Sequence, residues 1–177
     1  MARIPYADLD RLPEEARELL QGRRSPGGNV FRMLANAGAA TTGYLTFGAV
    51  LRKNLAIDLL LYEMVIVRVA NLCRAGYVIR QHEAFLRKQN VSEDAILGLR
   101  VRPDAPVFSE SERAALRLTD EVVLNVRASE ATFAEAARHF SPEALMHIVM
   151  TIGQYMLTCR VVETFDVDLQ PPTAAST

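Results

Sequence analysis

The sequence predicts an all-α, single-domain protein, a helical bundle built around a hairpin of two apolar helices. Half of the 177 residues are apolar, and the long segments place them at the three- and four-residue spacing of helices. Residues suited to helix N-caps precede several segments. They are Asp58, Ser92, Ser109 and Ser141. The length suits one hydrophobic core, which we assign to residues 1–168, and we expect the Pro-containing tail, 169–177, to be disordered.

Three helices are predicted before the hairpin. The first spans residues 10–21, where leucine and alanine recur at helical spacing. A loop at 25–29, rich in residues that suit turns, separates it from the next segment. A short helix is then expected at 30–37 and a longer one at 42–53.

The hairpin follows these helices. A long apolar helix begins after Asp58 and ends near Cys73, and a second helix runs from about Tyr77 to Gln89. The Arg74-Ala75-Gly76 segment interrupts the apolar pattern between them. The pair is therefore predicted to be a helical hairpin or a kinked helix.

Four further helices are expected in the second half of the chain. A short helix at 94–99 leads into an exposed, Pro-containing loop at 102–107. The remaining three are predicted over 109–125, 130–140 and 142–165. The last of them opens with a proline in its first turn, where the missing N–H costs nothing.

Charge and hydropathy argue against several partners. Twenty Lys and Arg against twenty-one Asp and Glu give a net charge of -1, so we expect no binding to nucleic acid. The first twelve residues lack the apolar stretch of a secretory signal, and we expect a cytoplasmic protein. The longest apolar run, Leu59 to Ala70, is shorter than the roughly 20 residues of a membrane span. It is interrupted by Glu63 and Arg68, so no membrane partner is predicted.

The two cysteines, Cys73 and Cys159, are far apart in the sequence. Neither begins a Cys-x-x-Cys motif, and their spacing is not that of a zinc site. We therefore expect no metal site, disulfide or dithiol chemistry. Each cysteine is predicted to be a small buried apolar residue.

Glu63 is the most unusual residue, because it is an acid in a helix that is apolar almost all round. Away from water, an ionised carboxylate needs a partner or must take up a proton. Either arrangement suits proton transfer. The alternative is a structural ion pair with an arginine such as Arg68 or Arg52. The residues alone leave both interpretations open.

His82 is the second candidate for chemistry. It lies on the helix after Glu63, with Val78 and Leu86 four residues to either side, so partial burial of the imidazole is predicted. A structural role is the alternative. His139 is expected near an exposed helix end and His147 inside the last helix, and neither has comparable support.

These residues form part of a longer pattern. Tyr62-Glu63-Met64-Val65-Ile66-Val67-Arg68-Val69-Ala70, followed by Tyr77 and Gln81-His82, resembles the carboxymuconolactone decarboxylase family, which includes the alkyl hydroperoxidase D-like proteins. Ser111-Glu112-Arg113-Ala114-Ala115-Leu116 and Gly153-Gln154-Tyr155 resemble the second half of that family. The resemblance therefore covers nearly the whole chain.

The residues at the cysteine positions also distinguish the branches of the family. In its peroxidase branch, a Cys-x-x-Cys begins twelve residues after the glutamate, and a histidine lies four residues beyond the second cysteine. Glu63 and His82 fit this spacing, but Ala75 and Val78 take the cysteine positions. Cys73 lies two residues short of the first position, without an evident resolving partner. A peroxidase cycle through a disulfide is therefore not expected.

The spacing from Tyr77 to His82 instead resembles the decarboxylase-like branch. Ile79 replaces the tryptophan that is common there, and Tyr62 replaces the common arginine. The resemblance implies a homo-trimer or a dimer of trimers, with a pocket for a small-molecule substrate near a subunit interface. It implies no cofactor.

The implied function is a cofactor-independent lyase that decarboxylates, or shifts a proton on, a small acidic or lactone-type molecule. We assign His82 as the acid that protonates the product anion and Glu63 as the group that orients it. Tyr77, Arg68 and Tyr155 are candidates for binding the substrate. Arg68 would bind a carboxylate group of that substrate. A non-catalytic small-ligand binding or oligomeric interaction protein is the alternative. A thiol peroxidase is disfavoured.

Overall fold

All regular structure in the described part of the chain is helical. The computed structural model describes residues 1–23, 25 and 27–169, and no strand occurs among them, which confirms the predicted all-α class. Pro26 of the predicted loop and residues 170–177 of the predicted tail lie outside the described residues. Two compact units divide the chain, and the assignment of residues 1–168 to one domain stays a prediction.

The first unit contains Met1–Lys53 and the described residues from Val161 onward. It includes three helices, α1 (Glu14–Gln21), α2 (Asn29–Leu34) and α3 (Ala39–Lys53). α1 packs against α3. The buried apolar side chains between the helices are Leu12, Ala16, Leu20, Ala35 and Leu45. All three helices predicted before the hairpin therefore form, although α1 begins only after Pro13 because a 3₁₀ turn precedes it.

The second unit, Asn54–Arg160, carries every candidate for chemistry. Its helices are α4 (Leu59–Leu72), α5 (Gly76–Lys88), α6 (Glu93–Val101), α7 (Glu110–Asn125), α8 (Glu130–His139) and α9 (Pro142–Thr164, up to Arg160). α4 contacts α5, α6 and α7, and its residues from Leu61 to Ala70 are all buried. This central position explains why α4 is apolar almost all round.

The turn between α4 and α5 confirms the predicted hairpin. Arg74 takes a left-handed conformation with φ of +56°, where glycine is the more usual residue. The Arg74 N–H donates to the Asn71 carbonyl at 3.1 Å, and the Ala75 N–H donates to the Ala70 carbonyl at 2.8 Å. These two bonds form a Schellman cap that ends α4 at a fixed residue. The chain then reverses into α5.

The residues predicted as N-caps all cap helices. The Asp58 carboxylate accepts hydrogen bonds from the N–H groups of Leu60 at 2.7 Å and Leu61 at 3.3 Å. Ser92, Ser109 and Ser141 accept from backbone N–H groups in the same way. Each cap satisfies donors that the first turn of a helix leaves unpaired. Asp58 thereby fixes the start of α4, five residues before Glu63.

α9 is a long apolar helix that the sequence analysis did not consider as a membrane span. By length and composition it could cross a membrane, although 44% of its most apolar window is buried within the protein. The core helix of a soluble protein passes the same test. The apolar run that stands out in the sequence, Leu59 to Ala70, belongs to α4 instead. A cytoplasmic location stays a prediction.

The Asp58 cap generates a prediction about stability. Asp58→Ala is expected to lower the free energy of unfolding by about 1 kcal/mol, because two N–H groups of α4 lose their acceptor. Asp58→Asn is the matched control, since its amide oxygen can accept the same bonds. Urea unfolding followed by circular dichroism measures both variants. Equal stabilities of Asp58→Ala and the wild-type protein would contradict the capping role of Asp58.

Candidate functional site

Glu63 and His82 are in direct contact. The Glu63 Oε2 atom lies 2.6 Å from the His82 Nδ1 atom. The Glu63 side chain is fully buried in the middle of α4, whereas the His82 side chain on α5 is 15% exposed. The hairpin turn thus brings together the two residues that the sequence singles out, nineteen positions apart. Their chemical roles stay a prediction.

The direction of this contact determines what the pair can do. With Glu63 ionised, the His82 Nδ1–H donates to the carboxylate in a charge-assisted hydrogen bond. The carboxylate then holds the ring in one tautomer and stabilises the imidazolium, as a carboxylate does in a catalytic triad. The second ring nitrogen, Nε2, is left to exchange a proton. The pair is therefore able to act as a general acid or base.

Tyr155 on α9 lies against His82. The two ring centroids are 5.1 Å apart and the ring planes are perpendicular, at 90°. Tyr62, next to Glu63 in α4, makes edge contacts to Tyr155 at 6.5 Å and to His147 at 6.3 Å. The four rings therefore form one connected aromatic cluster. Tyr155 is one of the predicted substrate-binding residues, and the structure brings its ring to His82.

Sequence reasoning missed His147, which it set aside as a residue inside the last helix. The sequence does contain a pattern that includes His147, because polar residues recur in α9 at helical spacing on one buried face. They are His147, Thr151, Gln154 and Thr158. The two threonine hydroxyls donate to carbonyls four residues earlier, at 2.8 and 2.9 Å. Gln154 Oε1 is buried without a hydrogen-bond partner among the described residues.

Arg68 makes several hydrogen bonds within the protein, and its role in binding a substrate carboxylate stays a prediction. Its side chain is buried, and Nε and Nη2 donate to the two carboxylate oxygens of Asp120 at 2.5 and 2.8 Å. Nη1 donates to the carbonyls of Leu99 and Arg100, both at 3.1 Å. All three guanidinium nitrogens are therefore engaged in joining α4 to α6 and α7. A substrate carboxylate would have to displace one of these partners.

Tyr77 is buried in the first turn of α5. It precedes His82 by five residues, which corresponds to about 140° around a helix. The two side chains therefore start from different faces of α5. The role of Tyr77 as a donor to substrate stays a prediction.

The cysteines require a correction. Both cysteines are predicted to be buried, and Cys159 is, whereas Cys73 is half-buried. Cys73 is the C-cap of α4 and lies beyond the buried stretch of that helix, which ends at Ala70.

The sequence comparison supports the predicted resemblance. Residues 38–121 match the sequence model of the carboxymuconolactone decarboxylase family. This segment contains both Glu63 and His82. Together with the fold, the match confirms the resemblance to the carboxymuconolactone decarboxylase family.

Solved structures with the same fold align over most of the chain. The alkylhydroperoxidase AhpD core of an uncharacterized peroxidase-related protein from Ralstonia eutropha JMP134 is 21% identical, with a TM-score of 0.81. That alignment covers 96% of this chain and 92% of the other. The debrominase Bmp8 is 14% identical with a TM-score of 0.79, covering 93% and 90%. At such low identity the likeness shows the fold alone, which is alkyl hydroperoxidase D-like, as predicted.

One curated relative is also similar in sequence. The uncharacterized protein YnjA of Escherichia coli K12 is 25% identical over 120 residues, which make up 67% of this chain. The matched region spans 66% of the length of that protein, just under two thirds. The activity, substrate and partners of the present chain are therefore proposed from the residues of its own site.

The Arg68 contacts generate a second prediction. Arg68→Leu is expected to lower the free energy of unfolding by about 3 kcal/mol, because Asp120 and two carbonyls lose their donors in a largely buried place. Urea unfolding measures the loss. The double variant Arg68→Leu with Asp120→Leu is expected to recover part of it, since no charge is then left unpaired. An Arg68→Leu protein of unchanged stability that binds substrate poorly would instead support the substrate role.

Proposed function

We propose that this protein is a cofactor-independent enzyme that transfers a proton to or from a small acidic or lactone-type molecule, with decarboxylation as the favoured reaction. The observation that carries the proposal is the 2.6 Å contact between Glu63 Oε2 and His82 Nδ1. The family match supports a decarboxylase-like lyase as the class. The debrominase, an enzyme with the same fold, supports catalysis as opposed to a purely structural role.

The proposed reaction uses the unshared nitrogen of His82. When a carboxylated substrate loses carbon dioxide, the electron pair of the broken C–C bond stays on the product as a carbanion or enolate. His82 enters as an imidazolium, and its Nε2–H protonates that carbon. The ring is then neutral, with a proton on Nδ1 directed at Glu63. Water restores the proton on Nε2 before the next turnover.

Burial of Glu63 supports this role. Away from water, the charge-assisted hydrogen bond between the Glu63 carboxylate and the His82 Nδ1–H is stronger than it would be at a surface. The partial exposure of His82 leaves its ring able to meet a ligand. Tyr155 packs against the ring and restricts its orientation, and in this proposal its hydroxyl is a donor to substrate. Because the Arg68 guanidinium is engaged elsewhere, we do not assign it to a substrate carboxylate.

The central prediction concerns Glu63 and His82 as a unit. Glu63→Gln and His82→Gln are each expected to reduce kcat/KM by about 10²-fold or more, the lower end of what a positioned acid or base supplies. The double variant should be little slower than either single variant, since each removes the same function. Carbon dioxide release from a panel of carboxylated lactones and keto acids identifies the substrate for this measurement.

A second histidine–glutamate pair, partly exposed on α8, provides the matched control for that experiment. His139 Nε2 contacts Glu135 Oε1 at 3.1 Å, four residues apart on α8. His139→Gln and Glu135→Gln remove the same side-chain types and should leave kcat/KM within about twofold. Folded Glu63 and His82 variants with wild-type rates would reject the proposal. Ligand binding beside His82 without turnover of any panel member would favour a non-catalytic binding protein.

We also propose that the chain assembles into a homo-trimer or a homo-hexamer. Four exposed apolar side chains of α9 lie on one face of the helix at spacings of three, four and eleven residues from the first. They are Met146, Val149, Met150 and Leu157. Such a stripe on a soluble protein is typical of an interaction surface. A second copy of the chain is the partner that the family resemblance favours.

The assembly proposal predicts a selective effect of charge. Met146→Glu is expected to shift the mass measured by light scattering from a trimer or hexamer toward the monomer, because it buries a charge in the proposed interface. Leu124→Glu on α7 is the control, since Leu124 is similarly exposed, at 65% against 61% for Met146. A wild-type protein that is monomeric at micromolar concentration would contradict the proposal.

A further inference from the structure

The buried polar side chains of α9 share one face of that helix, because they recur at spacings of three and four residues. They are His147, Thr151, Gln154 and Thr158. A polar group away from water destabilises the protein unless it is hydrogen-bonded. The hydroxyls of Thr151 and Thr158 meet this requirement by donating to the carbonyls four residues earlier, at 2.8 and 2.9 Å.

Gln154 does not meet it within the described part of the chain. Its side chain is only 6% exposed, and its Oε1 atom is buried and accepts no hydrogen bond from any described residue. A buried acceptor in this state has lost its bond to water without gaining another. A methionine would fill similar space without that cost. The orphaned oxygen is therefore explained better by a bound molecule that brings a donor than by packing.

Gln154 lies beside the aromatic cluster that contains His82. It directly precedes Tyr155, whose ring centroid is 5.1 Å from that of His82. Tyr62 contacts both His147 and Tyr155, at 6.3 and 6.5 Å, so its ring spans the segment of α9 between them. A helical side chain leans toward the N-terminus of its helix, which directs the Gln154 amide back over this segment. The orphaned oxygen thus belongs to the wall of the proposed active centre.

The hydrogen-bonding chemistry of this wall selects the polarity of a ligand. In the proposed reaction the imidazolium of His82 is a donor, whereas the Gln154 Oε1 atom can only accept. A ligand that satisfies both turns its acidic group toward His82 and a donor toward Gln154. An ammonium donor would place a second positive charge near the imidazolium, and the two charges would repel each other. A neutral hydroxyl group avoids that repulsion.

We propose that Gln154 recognises a hydroxyl group of the substrate, which narrows the substrate class to small hydroxylated acids. This inference rests on the proposed function, since it takes His82 as the group that meets the acid. A site built to accept from a hydroxyl discriminates against the analogue that lacks it, because the acceptor is then left buried and unpaired. Gln154 takes no part in proton transfer. Its loss should therefore raise KM for a hydroxylated substrate and leave kcat within about threefold.

The binding experiment uses the purified full chain with benzoate and its ortho, meta and para monohydroxylated isomers as probes. The isomers place the hydroxyl at three distances from the carboxylate, and benzoate is the matched compound without it. Calorimetric titration is expected to show at least one isomer binding about tenfold more tightly than benzoate. Gln154→Met should abolish this preference, because it removes the acceptor. A wild-type protein without a preference for any isomer, or a preference that Gln154→Met retains, would overturn the proposal.

A second measurement needs no ligand. Gln154→Met is expected to melt at or above the wild-type temperature, because it removes an unsatisfied buried acceptor. Thr151→Val is the matched control on the same face. Its hydroxyl is hydrogen-bonded, so its loss should lower Tm by about 2 °C or more. A Gln154→Met protein destabilised as much as this control would show that the amide is already satisfied in the free protein, which overturns the proposal.

The two measurements separate this inference from the proton-transfer proposal, because neither requires turnover. Wild-type rates in the Glu63 and His82 variants would reject proton transfer and leave a hydroxyl preference that depends on Gln154 as a property of a binding site. Full loss of activity in those variants, together with no preference for hydroxylated acids, would reject the role of Gln154 alone.

Discussion

The burial of one carboxylate is the constraint on which the rest of the site depends. Glu63 lies at the centre of α4, which three other helices contact, and its side chain is fully buried. A charge in such a place costs several kcal/mol unless it is paired. His82 pairs with it at 2.6 Å, and the geometry that allows this contact is the hairpin turn. Arg74, in its left-handed conformation, therefore helps to position Glu63 and His82, although Arg74 itself lies outside the site.

α4 carries two ionisable side chains in its buried stretch, and they are satisfied in different ways. Arg68 meets a carboxylate and two carbonyls, which is the full, rigid pairing expected of a residue that joins helices. Glu63 meets an imidazole, whose second nitrogen is still able to exchange a proton. Only the second arrangement leaves a group for chemistry. This difference is the physical reason for proposing a structural role for Arg68 and a reactive role for the pair of Glu63 and His82.

Much of the helical fold was predictable, because caps and apolar periodicity are local properties of the chain. The six helices of the second unit begin and end within two residues of the predicted bounds. Glu63 and His82 were also predictable, since an acid in an apolar helix must find a partner and the family spacing selects the histidine. The contacts of α9 were not. The contacts of Tyr155 with His82 and of His147 with Tyr62 join residues that are more than seventy positions apart, and tertiary packing alone decides such pairs.

The tautomer of His82 tests the central claim most directly. If the carboxylate of Glu63 accepts a hydrogen bond from His82, the neutral imidazole carries its proton on Nδ1 and keeps a lone pair on Nε2. The ¹⁵N chemical shifts of the two ring nitrogens report this state in solution without any substrate. We expect the Nδ1–H form in the wild-type protein and loss of that preference in Glu63→Gln. A neutral His82 protonated on Nε2, with shifts that Glu63→Gln leaves unchanged, would contradict the pairing of Glu63 with His82 as a proton-transfer unit.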